Sequence, residues 1–573
     1  MQRNEMVPVW AGALAGLVSG GVALGIAQLV AGVVGPETFP VVAVGDLTVD
    51  LTPAPLKEFA IRTFGENDKA VLVGGVLVVL AGIAAVIGIL ARRTLAYGYA
   101  GLAAFGVVGL LAVLTRPDAG VLDALPTVLG VAAAVWTLSW LVRRAGGGQG
   151  LGEPVLADSR AGTSATTASA TPGSGTTGHG GAGEAAEDAD ARRAVAVRHG
   201  DDGAVERPAV MRAGTEPHGF DRRRLLTGVA GGVVVAGAAT VLGRQLGGRQ
   251  AVDAARVGVA LPKAAIPAKP LPAGTDLRIN GLSPFFTKNQ DFYRVDTALV
   301  VPQVNPADWT LRIHGLVDRP VELTYDDLLK MPLTEADVTL TCVSNEVGGP
   351  YVGNARWLGV RMAEVLRRAG LRSGADMLLS TSTDGFTCGT PVDVVMDGRE
   401  ALFAVAMNGE ALPVEHGFPV RQVVPGLYGY VSATKWVVDV KVTTFDADEA
   451  YWTPRGWSAK GPIKTQSRID VPGSGDSLRA GRTKIAGVAW AQHTGVDAVE
   501  VRVDGGQWKQ ATLAQVPGPD TWRQWSIDWD LAAGDHTIQV RATDASGYTQ
   551  TEQLAPPAPD GATGWHTITV QAA

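Results

Sequence analysis

Cysteine is nearly missing from this chain: Cys342 and Cys388 are its only two in 573 residues. Two thiols build no disulfide framework, and these lie too far apart for a CxxC zinc motif. A c-type haem and an iron–sulfur cluster held by four thiolates are excluded on the same ground. A single bridge between the two, or two unpaired thiols, are the choices left. A strongly basic domain is also missing. With a formal net charge of −7 and only 18% charged residues, nucleic acid is set aside as a partner. Scarce charge beside 73 glycines points instead to membrane segments, and the length allows three or four units at about 100–200 residues per domain.

Apolar runs fill residues 7–34, 70–90, 95–114 and 121–142, with a fifth at 225–243. Each is close to the roughly 20 residues that carry a helix across a hydrocarbon core. The alternative, buried helices of a soluble domain, fits poorly with their length and flanking arginines. The polar stretch Glu37–Lys69 separates the first two, and arginines flank the rest at Arg92-Arg93, Arg143-Arg144 and Arg222-Arg223-Arg224. An N-terminus on the cytoplasmic side puts all these clusters inside. Five crossings then leave the C-terminal half outside. The resulting division is a four-helix transmembrane region at 1–145, a linker at 146–220, a fifth transmembrane helix at 221–245 and an extracytoplasmic linker at 246–279. A unit at 280–470 and a final all-β unit at 471–573 complete it. The 146–220 stretch is Gly, Ala, Ser, Thr and Asp with few large apolar residues, too little to offset its ordering entropy, and is read as disordered. Asp221-Arg222-Arg223-Arg224-Leu225-Leu226 resembles the twin-arginine export signal, with a plain positive-inside anchor as the other reading.

Beyond a Pro-rich stretch the pattern turns to soluble α+β. Trp309–Gly315 alternates as a strand, and Thr324 heads a capped helix start. Val338–Thr341 reads as a strand that delivers Cys342 into a Gly-rich loop, a position where a reactive or ligating thiolate can sit, although a buried structural thiol is commoner. The order Leu340-Thr341-Cys342-Val343-Ser344-Asn345-Glu346-Val347-Gly348-Gly349, then Ala355-Arg356-Trp357-Leu358-Gly359-Val360, resembles the molybdopterin-binding domain of the sulfite-oxidase family. Further blocks follow in the family's order: Ser382–Phe386, Ala406–Glu410, Leu412-Pro413, His416–Arg421, Val424–Gly426, Lys435-Trp436 and Ile463–Asp470. The resemblance covers about 280–470 and implies that Cys342 is the catalytic thiolate ligand of a molybdenum–molybdopterin cofactor, a soft donor for that metal. It further assigns cofactor contacts to His416, Arg421, Thr434 and Lys435, and at the entrance to Asn289, Tyr293 and Arg294. Arginine offers phosphate a bidentate fork and lysine a point charge.

The resemblance also sets the doubts. Sulfite oxidases place an arginine soon after the ligating cysteine, whereas none stands here between Cys342 and Arg356. Lys288 and Phe386 replace a further arginine and an active-site tyrosine, so a sulfoxide or another small oxo-substrate rivals sulfite. Tyr451–Trp457 is an aromatic, rigid segment that either edges the substrate funnel or packs between domains. From about Thr483 short alternating strands and the Asp504-Gly505 hairpin signal predict an immunoglobulin-like sandwich, similar to the family's dimerisation domain, with a homodimer as one option. The expected fold is therefore multi-domain: an α-helical transmembrane region, an α+β molybdopterin-binding unit and an all-β sandwich. Electrons are expected to leave to a separate cytochrome or membrane quinone. A catalytically inactive membrane receptor or scaffold on the same fold is the rival reading.

Overall fold

The computed structural model describes residues 7–53, 56, 59, 63–64, 68–115, 120–145, 220–246 and 249–573. Except for Phe220, the linker expected at 146–220 lies outside the described residues. Five helices are long and apolar enough to cross a membrane: Val9–Val34, Val71–Ala91, Leu95–Leu114, Val121–Ala145 and Arg222–Leu246. At 1.5 Å per residue each reaches about 30 Å or more. Val9–Val34 is the centre of the bundle and packs on Asp68–Ala91, Leu125–Ala145 and Arg222–Leu246. Helices in lipid gain little from hydrophobic burial, so their contact depends on close backbone approach. Gly16 meets Gly88, and Gly32 meets Gly243, so closely that a Cβ on any of the four would overlap the neighbouring main chain.

The two ends of the bundle differ. At one end Arg92 donates to the Val7 carbonyl at 3.2 Å, Arg222 lies over the Trp10 ring at 5.9 Å, and Asp221 N reaches the Ala145 carbonyl at 3.4 Å. All three arginine clusters gather there. The stretch Glu37–Lys69, expected to be polar, instead contains the apolar helix Pro40–Leu51, whose Ala43 packs on Ala112 and Val113. Its run of valines and alanine buries one side but is too short to span.

The segment 246–279 is not a free linker either. Arg249–Val257 is helical, Val252 is buried in the core of the following domain, and Ile266 bridges to Thr334. Arg256 fastens it by donating to the Leu412 and Ala411 carbonyls at 2.7 and 2.9 Å and pairing with Glu410 at 3.1 Å.

Residues 310–443 form two sheets. In the first the order is Thr334–Thr341, Val352–Arg361, Leu402–Met407 and Glu410–Ala411, with Arg421–Val423 also on Leu402–Met407. In the second it is Val321–Thr324, Thr310–Gly315, Val437–Thr443, Met377–Ser382 and Thr387–Pro391, antiparallel except where Thr310–Gly315 runs parallel to Val437–Thr443. The helix Tyr325–Lys330 starts as the sequence predicts, Thr324 and Asp327 exchanging capping bonds. Val338, Leu340 and Trp357 bury in one core, and Trp309, Val360 and Phe403 in the other.

The C-terminal unit has two sheets over a shared core that includes Ile485, Trp525, Val499, Val540 and Ile568. Gln466–Val471, counted with the upstream unit in the sequence, pairs with Gly481–Trp490 and so belongs here. Asp504 and Gly505 take φ of 50° and 66°, with Gly506 N bonded to the Val503 carbonyl at 2.9 Å, which is the turn their pairing predicts. This unit covers the exposed edge of Thr334–Thr341. Gln492 donates to the Thr339 carbonyl at 3.0 Å and Thr341 Oγ1 at 2.9 Å, and Thr339 N donates to the Asp520 carbonyl at 2.9 Å. An edge strand held in this way keeps its end, and therefore Cys342, in place.

Candidate functional site

Cys342 directly follows the strand Thr334–Thr341. Its N–H donates to the Tyr351 carbonyl at 3.0 Å, Asn345 N returns to the Cys342 carbonyl at 3.1 Å, and Asn345 Oδ1 accepts from Tyr351 N at 2.8 Å. The loop is thus closed on itself beneath the thiol. The thiol is half-buried, and its sulfur lies 2.8 Å from Ser344 Oγ. Burial pushes its pKa up, opposed by the Ser344 bond and the charge of Lys435. Cys388 is fully buried and also unpaired, so no bridge joins the two.

The segment between Arg421–Val423 and Val437–Thr443 crosses from one sheet to the other, and it brings Thr434 and Lys435 beside Arg421. Gly417, at φ 108°, lets the chain fold back there. A Cβ on it would stand 2.9 Å from Arg421 Cβ and 3.1 Å from Lys435 Cβ. Trp436 also sits at positive φ (48°), its indole N–H fixed to the Val414 carbonyl at 2.8 Å. Non-glycine residues hold such a conformation only where the surroundings enforce it.

Arg421 is 5% exposed. Its guanidinium reaches only carbonyls, those of His416 at 3.1 Å and of Gln422 and Ala433 at 3.5 Å, and lies 5.0 Å from the Trp357 ring centroid. Among the described residues no carboxylate pairs with it. Burial pushes its pKa down to about 10. Thr434 Oγ1 nearby is buried and, among the described residues, has no hydrogen-bond partner but the Cys388 thiol. A buried cation that lacks a counter-ion beside a hydroxyl with no oxygen or nitrogen partner is a site shaped for an anion. His416 Nε2 bonds the Asn289 carbonyl at 2.8 Å, and burial lowers its pKa to about 4, so the imidazole is neutral at pH 7.

The structure brings the other sequence candidates to the same place. Asn289 donates to Glu410 at 2.6 Å and accepts from Asn408 at 2.8 Å. Tyr293 stacks on Phe292 at 5.3 Å and faces Tyr351 at 6.3 Å; burial, reinforced by nearby Cys342, drives its phenol pKa up. Lys435 Nζ pairs with Asp296 at 2.8 Å, and burial outweighs that carboxylate to lower its pKa to about 8. Arg294 is more exposed, 3.6 Å from Asp296.

Asp296 itself escaped the sequence reading. Its side chain is 4% exposed and ion-paired to Lys435, Lys69 and Arg294. Burial alone would raise its pKa, but the two lysines outweigh that and hold the carboxyl ionised. A lone aspartate two residues past Arg294 carries no signal of this in sequence. Two further residues singled out in the sequence have partners in the fold. Arg356 is tied to Asp337 by bonds of 2.7 and 3.0 Å. Phe386 packs on Tyr451 at 5.6 Å, and Arg455 lies 3.7 Å over that Tyr451 ring.

The donor set fits a molybdopterin cofactor: one thiol for a soft metal, and an uncompensated guanidinium, a lysine and a buried hydroxyl for its phosphate. Comparison with known proteins agrees. Residues 298–452 match the family described as oxidoreductase molybdopterin binding domain. Mitochondrial sulfite oxidase of Rattus norvegicus is 31% identical over 323 residues, covering 48% of this chain and 57% of that protein. NADH nitrate reductase 1 of Arabidopsis thaliana is 29% identical over 321 residues, covering 44% of this chain and 35% of that protein. The solved sulfane dehydrogenase SoxCD of Paracoccus pantotrophus aligns with a TM-score of 0.45 at 25% identity, over 50% of this chain and 81% of that one. The chain spans little more than half the length of the sulfite oxidase it matches. It therefore carries, at residues 298–452, a molybdopterin-binding oxidoreductase domain related to those of sulfite oxidase and nitrate reductase, whose cofactor is molybdenum–molybdopterin.

Proposed function

We propose that this chain is a membrane-anchored molybdenum oxidoreductase that transfers an oxygen atom to or from a small oxo-substrate, sulfite or a sulfoxide, outside the cytoplasm. The observation that carries the reading is Arg421, a buried guanidinium with no carboxylate partner among the described residues, set between His416 and the buried Thr434 hydroxyl. The bound cofactor would supply a two-electron redox centre able to accept or give up oxygen. Around it, Cys342 ligates the metal through its deprotonated sulfur, while Arg421, Lys435 and Thr434 hold the pterin's phosphate. Neutral His416 keeps the entrance segment at Asn289 against the pocket, and Tyr293 and Arg294 close its rim. No arginine follows Cys342 before Arg356, and that one is engaged with Asp337, which favours a substrate needing fewer cations than sulfite.

The orientation is supported by the two ends of the bundle. The arginine clusters gather at one end, as the positive-inside rule asks of the cytoplasmic side, while Lys69 at the other contacts Asp296 of the catalytic domain. Arg222-Arg223-Arg224 act in this reading as a twin-arginine signal, the C-terminal unit is an immunoglobulin-like sandwich suited to dimerisation, and a separate cytochrome or quinone takes the electrons. The test is elemental and pterin analysis of the solubilised full chain, followed by turnover with sulfite and with dimethyl sulfoxide and an artificial electron carrier. A folded chain free of molybdenum and pterin would overturn the reading and favour a receptor or scaffold.

A further inference from the structure

Lys69 opens the membrane helix Asp68–Ala91, yet its ammonium group is bonded inside the catalytic domain. It pairs with Asp296 and donates to the Ala298 carbonyl at 2.6 Å, 229 residues away in sequence. Asp296 is the same carboxylate that holds Lys435 at 2.8 Å. A second contact lies beside it, where Gly45 of the helix Pro40–Leu51 stands against the Leu299 side chain so closely that a Cβ would overlap it. Two helices of the membrane region therefore dock on residues 296–299.

We infer that the membrane region completes the cofactor pocket, with Lys69 acting as a positioning residue that shares Asp296 with Lys435 and so leaves more of the Lys435 charge for an anionic ligand. The shared carboxylate carries the argument. Asp296 contributes one negative charge to a cluster that holds Lys69, Lys435 and Arg294. Without Lys69, the carboxylate would be shared only by Lys435 and the more exposed Arg294, and would offset more of the charge that Lys435 turns on the Cys342 thiol. With Lys69 in place, the carboxylate is divided between two ammonium groups, and Lys435 keeps charge for a phosphate. Asp296 is nearly sealed from water, so screening does little to soften this.

The inference rests on the cofactor reading of Lys435, and its test separates the two. Full-length protein is solubilised, and molybdenum and pterin per polypeptide are followed over time in cofactor-free buffer for the wild type, Lys69→Met and Lys69→Arg. The same series is repeated with Asp296→Asn. Lys69→Met should lose molybdenum and pterin about threefold to tenfold faster, as expected of one coupled pair, and Lys69→Arg should restore retention. In the Asp296→Asn background the Lys69→Met change should have no further effect. Equal acceleration in both backgrounds would overturn the inference, since Lys69 would then act without Asp296. Docking is read without the cofactor by oxidising Gly45→Cys/Leu299→Cys and seeking the joined peptides by mass spectrometry. Cross-linked protein that never contains molybdenum or pterin would sink the cofactor reading and leave the docking intact. Protein that holds cofactor but does not cross-link would sink the inference alone.

Discussion

Replacing Arg421 by methionine should strengthen the empty protein and empty the filled one. The guanidinium is 5% exposed and its bonds go only to carbonyls. Burial lowers its pKa from 12.5 to about 10, and at 1.36 kcal/mol per pH unit that is on the order of 3 kcal/mol spent on keeping the charge inside the cofactor-free fold. Methionine removes this penalty while keeping most of the stem against Trp357. It forfeits the charge-assisted bond to the His416 carbonyl, worth about 1.5 kcal/mol at the low end for such bonds, while the two at 3.5 Å add little. The cofactor-free variant should therefore gain roughly 1–2 kcal/mol locally. With cofactor present the balance reverses, because each charge-assisted bond to phosphate contributes about 1.5–3 kcal/mol. One such bond lost predicts at least a tenfold fall in retention. Hydrogen exchange of the peptide 418–436, measured on full-length protein from cells unable to make the pterin, should be slower in Arg421→Met than in wild type. From ordinary cells the variant should carry little molybdenum. Faster exchange without cofactor, or normal molybdenum content, would refute the reasoning, since Arg421 would then be a structural residue.

Cys342→Ser should abolish turnover, a hydroxyl being a much poorer ligand for the metal than a thiolate, whereas Cys388→Ser should retain much of it. Equal loss in both, with a disulfide in the mass spectrum, would contradict the two free thiols of the structure. Burial holds His416 at about 4 against an ordinary 6.5. A depressed folded value means this contribution is intact above pH 6.5 and is lost as pH falls towards 4, by about 3 kcal/mol in all. The urea midpoint of the cofactor-free chain should drop through that window, and less steeply in His416→Gln. Gly417→Ala should lower molybdenum content, because its Cβ would press on Arg421 and Lys435 at a φ that alanine resists. Changing Arg222, Arg223 and Arg224 together to lysine keeps the positive-inside charge but should strand the catalytic domain in the cytoplasm. Cleavage of that domain by protease added to intact spheroplasts, with molybdenum still bound, would leave the triplet a topology signal only.

What the sequence disclosed was local. Thr324 and Asp327 announce their helix, Asp504-Gly505 its turn, and each apolar run its span, because the cause of each lies within a few neighbouring residues. His416, Arg421 and Lys435 were legible only through the ordered blocks around them. Taken singly, each is a charged or polar residue with nothing to say that it is buried. Asp296 and Lys69 were not legible at all, since their pairing closes a loop of 227 residues. The helix Pro40–Leu51 was hidden in a stretch judged by its charged ends. Family resemblance continues through Gln466–Val471 and groups that strand upstream, while its hydrogen bonds run to Gly481–Trp490.

The same long-range pairings fix an order of assembly. Asn289, Cys342, His416 and Lys435 must all be in place before the pocket exists. The strand ahead of Cys342 is itself held by Gln492, and Trp522 N donates to Thr339 Oγ1 at 2.7 Å. The pocket therefore takes its final shape only when the chain is complete beyond residue 522. If the cofactor is inserted in the cytoplasm, the domain must cross the membrane already folded, which is the task of the twin-arginine route proposed for residues 222–224. The docking of Lys69 and Gly45 on residues 296–299 then comes last, once the domain reaches the far end of the bundle. The two sets of variants consequently separate. Lysines at 222–224 should leave loaded domain on the wrong side, whereas Lys69→Met should deliver loaded domain to the right side and let it lose cofactor there. Molybdenum missing from newly exported Lys69→Met protein, before any time for dissociation, would place Lys69 in insertion and contradict this order.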